Sequence, residues 1–160
     1  MITYRKALPS DALALLETRR NAVLRSATQA YPRPVLEAWA PAINDETIRQ
    51  EAERLSCQDR VTIVAEADGN MVGLGTVNIT EGLLQQCYVL PEFRRLGIAR
   101  ELVKQIETIA KEHGLQLLKL SSSLVAMEFY RGEGYAQLNS YHYDLGNGLE
   151  MLCVMMEKKL

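Results

Sequence analysis

The stretch from Leu83 to Leu120 constrains the fold more than any other part of the chain. Leu83 to Val89 is a short run of strand character, and Pro91 ends it. From Gly97 to His113, the residues Ile98, Leu102, Ile106 and Ile109 recur at helical spacing, and Gly114 stands where a helix commonly ends. Leu115 to Leu120 is a second short apolar run. A strand, a long helix and a strand in succession call for a parallel pair joined by a crossover.

The remaining elements surround this unit. Ile2 to Ala7 reads as a first strand. Pro9-Ser10-Asp11 opens a helix from about Ala12 to Ser26, with Leu13, Leu16, Arg20, Val23 and Leu24 near one face. Thr28 to Ile43 holds Tyr31, Pro32, Pro34, Trp39 and Pro41, which predicts a loop with a short helical piece. Asn44 or Asp45 caps a further helix to about Leu55. Arg60 to Glu66 and Met71 to Ile79 form a hairpin about Asp68-Gly69. Ser123 to Arg131 reads as a short helix. Gly134 to Tyr143 and Leu149 to Glu157 read as strands about Gly146-Asn147-Gly148, with Glu157-Lys158-Lys159 as a solvated tail. Antiparallel hairpins around a parallel pair predict an α/β architecture, a mixed sheet covered by helices. The 160 residues suit one domain, 1–160.

Composition narrows the function. No apolar run approaches the ~18 residues of a membrane span, and the first residues, Met1 to Lys6, contain no apolar signal-peptide core. A cytoplasmic location with no membrane partner is expected. The formal net charge of -2 argues against a nucleic-acid partner. Cys57, Cys87 and Cys153 are widely spaced and only His113 and His142 are present, so neither a disulfide framework nor a metal centre is expected.

Arg94-Arg95-Leu96-Gly97-Ile98-Ala99-Arg100 lies between the predicted strand and the long helix. The first turn of a helix exposes N–H groups with no intrahelical partner and carries a partial positive charge. Glycine allows close approach of a ligand, and arginine holds phosphate oxygens through paired donors. The segment is a candidate phosphate cradle, or else an ordinary basic helix start.

Arg94-x-x-Gly97-x-Ala99, after Tyr88-Val89-Leu90-Pro91-Glu92-Phe93, resembles the Arg/Gln-x-x-Gly-x-Gly/Ala signature of the GCN5-related N-acetyltransferase (GNAT) superfamily. Ala126-x-x-Phe129-Tyr130-x-x-x-Gly134-Tyr135 is similar to that family's later helix pattern. The resemblance covers about Leu83 to Tyr135 and implies an acetyl-CoA-dependent acetyltransferase. It places the main chain of Cys87, Tyr88 and Val89 beside the pantetheine arm, where the fourth strand carries a bulge and splays from the fifth. It places the cradle residues on the pyrophosphate and makes Tyr130 the general acid. Ser123 stands where the family often has an asparagine; it is a candidate pantetheine contact or a helix cap. Tyr31 and Trp39 fall in the region that lines the acceptor side. A homodimer is plausible for the family.

Acetyl transfer to an amine needs a deprotonated amine, a stabilised carbonyl oxygen and an escorted thiolate. A phenol with pKa about 10 holds a proton for the sulfur at neutral pH. The general base is harder to place. The family often uses a glutamate on the fourth or fifth strand, but Leu115 to Leu120 has no carboxylate. Glu81 is the nearest candidate, and Gln85 or Gln86 would only orient a water. Cys87 has no neighbour in sequence to lower its pKa and reads as a buried small hydrophobe rather than a nucleophile. His142, amid Tyr135, Tyr141 and Tyr143, is a weak candidate base. The expected activity is direct transfer of an acetyl group to a primary amine on a small molecule or peptide. The alternative is a non-catalytic acyl-CoA-binding module on the same fold.

Overall fold

The computed structural model describes residues 1–160. Seven strands form one sheet: β1 (Ile2–Lys6), β2 (Arg60–Ala67), β3 (Asn70–Asn78), β4 (Leu83–Val89), β5 (Leu117–Ser123), β6 (Ala136–Gly146) and β7 (Leu149–Lys159). Their spatial order is β1-β2-β3-β4-β5-β7-β6. All neighbours are antiparallel except β4 and β5. Five α-helices cover it: α1 (Ala12–Ser26), α2 (Arg33–Trp39), α3 (Asp45–Leu55), α4 (Ile98–Glu112) and α5 (Met127–Gly132). This is the mixed α/β architecture expected from the pattern of elements.

The two faces of β7 show how the layers divide. Met151 and Cys153 pack with Val23, Ala27, Tyr31, Val35 and Leu36 of the α1–α2 side. Val154 and Met156 pack with Val103, Ile106 and Ala110 of α4 and with Tyr130 and Tyr135. Strand side chains alternate between faces, so one strand serves both cores. Gly75 lets α4 lie close on the sheet, since a Cβ there would stand 2.9 Å from the Ile106 Cδ1. Asn44 caps α3 as expected, its Oδ1 accepting from the Thr47 N–H at 2.9 Å.

Several expectations are corrected. The buried face of α1 is Ala12, Leu15, Thr18, Ala22 and Val23, whereas Leu13 is exposed. Val23 is on the expected face, but Ala12, Thr18 and Ala22 are small or polar and escape a search for large apolar residues. β5 starts at Leu117 and continues through the serines to Ser123, which pairs with Cys153. Ser123 therefore ends a strand and caps no helix; α5 begins only at Met127, with Ala126 at its N-cap. Glu157, Lys158 and Lys159 are not a tail but part of β7, paired with Lys119, Leu118 and Leu117. Lys158 Nζ lies 2.8 and 2.9 Å from the two Glu107 oxygens and over the Tyr135 ring.

Candidate active site

The site begins where the sheet splits. β4 and β5 are in register only at Leu83–Lys119 and Leu84–Leu120. β4 also carries an irregularity against β3: Val77 faces Leu84 and Thr76 faces Gln86, which leaves Gln85 unmatched. An extra residue bends a strand and interrupts its ladder. Past Leu84 the β4 edge turned toward β5 therefore has no strand partner, while its other edge stays paired to β3 through Gln86, Cys87, Tyr88 and Val89.

A cavity of about 780 Å³ fills the split. That lies within the ~300–1,000 Å³ usual for small-molecule and cofactor sites. Cys87, Tyr88 and Val89 line one wall, Ser121, Ser123, Ala126 and Tyr130 another, and Arg94, Arg95, Gly97, Ile98, Ala99 and Arg100 the mouth. Gly97 is the N-cap of α4 with φ of +80°, and Arg95 just before it has φ of +62°. Such left-handed residues fold successive main-chain amides into an anion-binding concavity. Nothing stands within 4 Å of where a Gly97 Cβ would be, so the approach to the first turn of α4 is open. Arg94 and Arg95 pair with no carboxylate, while Arg100 Nε donates to Glu133 Oε1 at 2.9 Å. Leu96, between them, is 63% exposed and does not line the cavity.

Tyr130 is buried, and burial raises its pKa well above the ordinary phenol value, with Cys87 as a second cause. Cys87 lies beside the Tyr130 hydroxyl, and its own thiol is pushed up to about 12, mainly by burial. The phenol is thus protonated at neutral pH, and the thiol is no thiolate.

A second cavity, of about 490 Å³, joins the first. The two share Trp39, Gln85, Gln86, Tyr88, Ser121 and Ser123. Trp39 Nε1 donates to the Tyr88 hydroxyl at 3.2 Å, a polar link at the junction. Tyr31 is a correction. It is buried and enters neither cavity; its hydroxyl donates to the Leu152 carbonyl at 2.6 Å and accepts from the Leu124 N–H at 2.9 Å. Its ring meets Trp39 edge-on at 5.9 Å, so it braces the junction from behind.

Glu81 is the largest correction. It sits exposed in the turn between β3 and β4, its N–H donating to Asn78 Oδ1 at 2.9 Å. Cys87 lies six residues along an extended strand from it, ~20 Å at about 3.3 Å per residue. Glu81 belongs to the opposite end of the sheet from the cleft. His142 is exposed beside Glu150 and lines neither cavity.

The acetyltransferase (GNAT) domain family matches residues 21–160. The chain belongs to the GNAT acetyltransferase family. A Bacillus subtilis (strain 168) protein, named as an acetyltransferase by inference, is 30% identical over 114 residues, 70% of this chain and 76% of its own. A GCN5-related N-acetyltransferase from Rhodopseudomonas palustris superposes with a TM-score of 0.89 at 25% identity, covering 99% of this chain and 95% of that one. The PaiA N-acetyltransferase from Thermoplasma acidophilum, solved with coenzyme A, gives 0.81 at 24% identity over 100% and 99%. The split mixed sheet is therefore the GNAT fold.

For this GNAT acetyltransferase, sequence reasoning missed most of the second cavity. Arg19, Arg54, Gln50, Asp144 and Leu145 reach it from α1, α3 and β6. Arg20, read as part of a packing face, also lines it. Only the pair Arg19-Arg20 next to an apolar helix face offered a signal in advance. Gln86 lines both cavities, and its Oε1 is buried with no hydrogen-bond partner.

Proposed function

We propose that the chain, 1–160, acts as one N-acetyltransferase domain that moves the acetyl group of acetyl-CoA directly onto a primary amine. The observation that carries this reading is the meeting of the two cavities across Trp39, Gln85, Gln86, Tyr88, Ser121 and Ser123. A donor lying along the split and an acceptor in the second cavity would meet at that wall.

Acetyl-CoA supplies a thioester carbonyl and a thiol leaving group. The first-turn amides of α4, with Arg94 and Arg95, hold the diphosphate; Arg100 contributes less because Glu133 already engages it. The unpaired β4 edge at Cys87, Tyr88 and Val89 binds the amide-rich arm, and one of its N–H groups polarises the carbonyl. Ser123 offers its hydroxyl to the same arm. Tyr130 donates a hydrogen bond to the departing sulfur. An ordinary thiol has a pKa near ~8.5, below that of the buried phenol, so Tyr130 stabilises the thiolate without wholly surrendering its proton.

Two features favour direct attack. Burial pushes the Cys87 thiol up to about 12, so it stays protonated at neutral pH and is poorly suited to form an acyl-enzyme. The shared wall contains no carboxylate and no histidine. With no base at that wall and Asp144 the sole carboxylate of the second cavity, the amine gives its proton to solvent. That costs about 4.6 kcal/mol for an alkylammonium of pKa ~10.4 at pH 7, and about 1 kcal/mol for an amine near pKa ~7.8. Amines of low pKa are favoured acceptors.

The absent base also favours the second reading, a module that binds acyl-CoA without turnover. Calorimetry with acetyl-CoA, followed by thiol release with a panel of amines, separates the two. Binding with amine-dependent thiol release is the expected result. Binding without it leaves the non-catalytic module, and no binding removes both.

A further inference from the structure

The walls of the second cavity are charged unevenly. Arg19 and Arg20 of α1 and Arg54 of α3 line it, against one acidic side chain, Asp144 of β6. Glu51, which is 1% exposed, lies behind Arg54 at 3.3 Å. It is shared with Arg60, whose pKa burial lowers while Glu51 supports it. The acidic Glu46 and Glu53 are engaged by Arg49 on the same helix. The group of Arg54, Arg60 and Glu51 thus keeps one positive charge. Together with Arg19, Arg20 and Asp144, the pocket keeps an excess of about two positive charges, a field that repels ammonium groups and attracts anions.

Arg19 and Arg20 have structural duties that leave donors free. Arg19 donates an Nη2–H to the Trp39 carbonyl at 2.8 Å, and Arg20 donates from Nη1 to the Ala40 carbonyl. These bonds satisfy the end of α2 and fix both guanidinium groups. Arg19 Nε remains buried with no partner, and Gln86 Oε1 at the junction is likewise buried and unpaired. Buried polar atoms without partners cost stability, roughly 1–3 kcal/mol each. Here a donor lies on the arginine side and an acceptor beside the donor cleft.

We infer that the acceptor is a primary amine carrying an anionic group, a carboxylate or a phosphate, bound with the anion on Arg19, Arg20 and Arg54 and the amine at Gln86. The inference rests on reading the chain as an acetyl-CoA-dependent N-acetyltransferase. With its anion on the guanidinium groups, the ligand's amine is held at the wall that the two cavities share, beside the thioester. In the transfer, the amine nitrogen forms the C–N bond, the C–S bond breaks, and the amine's surplus proton leaves for solvent as the thiolate departs. A polyamine would bring several ammonium groups into a positive pocket and is excluded as the preferred acceptor.

The test is a thiol-release assay at fixed saturating acetyl-CoA. Its carboxylate arm is the common amino acids, with their amides as neutral counterparts. Its phosphate arm is phosphoethanolamine, with ethanolamine as the counterpart, and spermidine represents the polyamines. The expected result is a kcat/KM at least tenfold higher for an anionic amine than for its neutral counterpart in one arm, and that arm identifies the anion. Arg20→Gln should collapse this ratio toward one, mainly through KM, and Arg20→Lys should restore part of it. Calorimetry with acetyl-CoA on each variant reports whether the donor site is intact. Preference for spermidine or a neutral amine, an unchanged ratio in Arg20→Gln, or turnover of neutral amines with none of any anionic amine would each overturn the inference. Failure to bind acetyl-CoA, or binding with no thiol release from any amine, would instead overturn the reading beneath it.

Discussion

Replacing Gly97 separates the cradle's chemistry from its backbone geometry. Gly97 has φ of +80°, and a Cβ built there meets nothing within 4 Å. Gly97→Ala therefore creates no clash within the protein, and its cost is the left-handed conformation alone, roughly 1–2 kcal/mol for a residue with a Cβ. In a domain of this size 1 kcal/mol moves Tm by about 2–4 °C, so a fall of roughly 2–8 °C is expected. Gly97→Glu carries the same backbone cost and adds a negative charge at the mouth. Two unit charges ~4 Å apart interact by about 4 kcal/mol at an effective dielectric of ~20, equivalent to a loss of affinity on the order of 1,000-fold. Thermal unfolding of both variants and calorimetry with CoA measure the two quantities separately. The expected result is similar Tm values for the pair, with weakened CoA binding in Gly97→Ala and none detectable in Gly97→Glu. A folded Gly97→Glu protein that binds CoA within threefold of the unaltered protein would refute the placement of the diphosphate.

Further outcomes follow from other parts of the site and core. Tyr130→Phe should lower kcat by about 10²-fold, within the usual range for a proton-donating group, and leave the acetyl-CoA Kd in place; unchanged turnover would remove Tyr130 from the chemistry. Tyr31→Phe strands the Leu152 carbonyl and the Leu124 N–H, each worth about 1–3 kcal/mol when buried. Urea unfolding should record a loss of roughly 2–4 kcal/mol, with the order of preferred amines unaltered; a changed order would return Tyr31 to the acceptor side. The Arg5 guanidinium is the main reason the Asp11 carboxyl titrates below its ordinary range. Its stabilisation is complete above the unfolded carboxylate pKa, near ~3.9, and disappears as pH falls through the lower folded value. The stability gap between the unaltered protein and Asp11→Asn should therefore be wide at pH 6 and narrow toward pH 3, as read from urea midpoints. A gap independent of pH would contradict that ion pair.

The fold was legible where local patterns and long-range pairing agree. Leu83–Val89 is a strand with the same bounds in sequence and structure, because Pro91 ends it and the glycine turn precedes it. The crossover from β4 to β5 followed from helix length alone. The serines of β5 were unreadable for the opposite reason. Ser121, Ser122 and Ser123 have weak strand preference, and only pairing with Met155, Val154 and Cys153 holds them extended. The same partnership turns Glu157-Lys158-Lys159 from an apparent tail into the end of β7.

The candidate site divides along the same line. The candidate cradle is a local feature: a glycine at a helix start with arginines beside it is contiguous from Arg94 to Arg100, and its physics depends on the backbone of those residues. Chain order is enough to put it forward as a candidate. The second cavity is assembled from α1, α2, α3, β4, β5, β6 and β7, most of them distant in sequence and brought together only by packing. Periodicity can say that Arg20 lies on a helix, but not that Arg54 and Asp144 face it across a cavity. For the same reason Glu81 looked close to the chemistry along the chain, yet stands at the far end of an extended strand, where each residue adds ~3.3 Å.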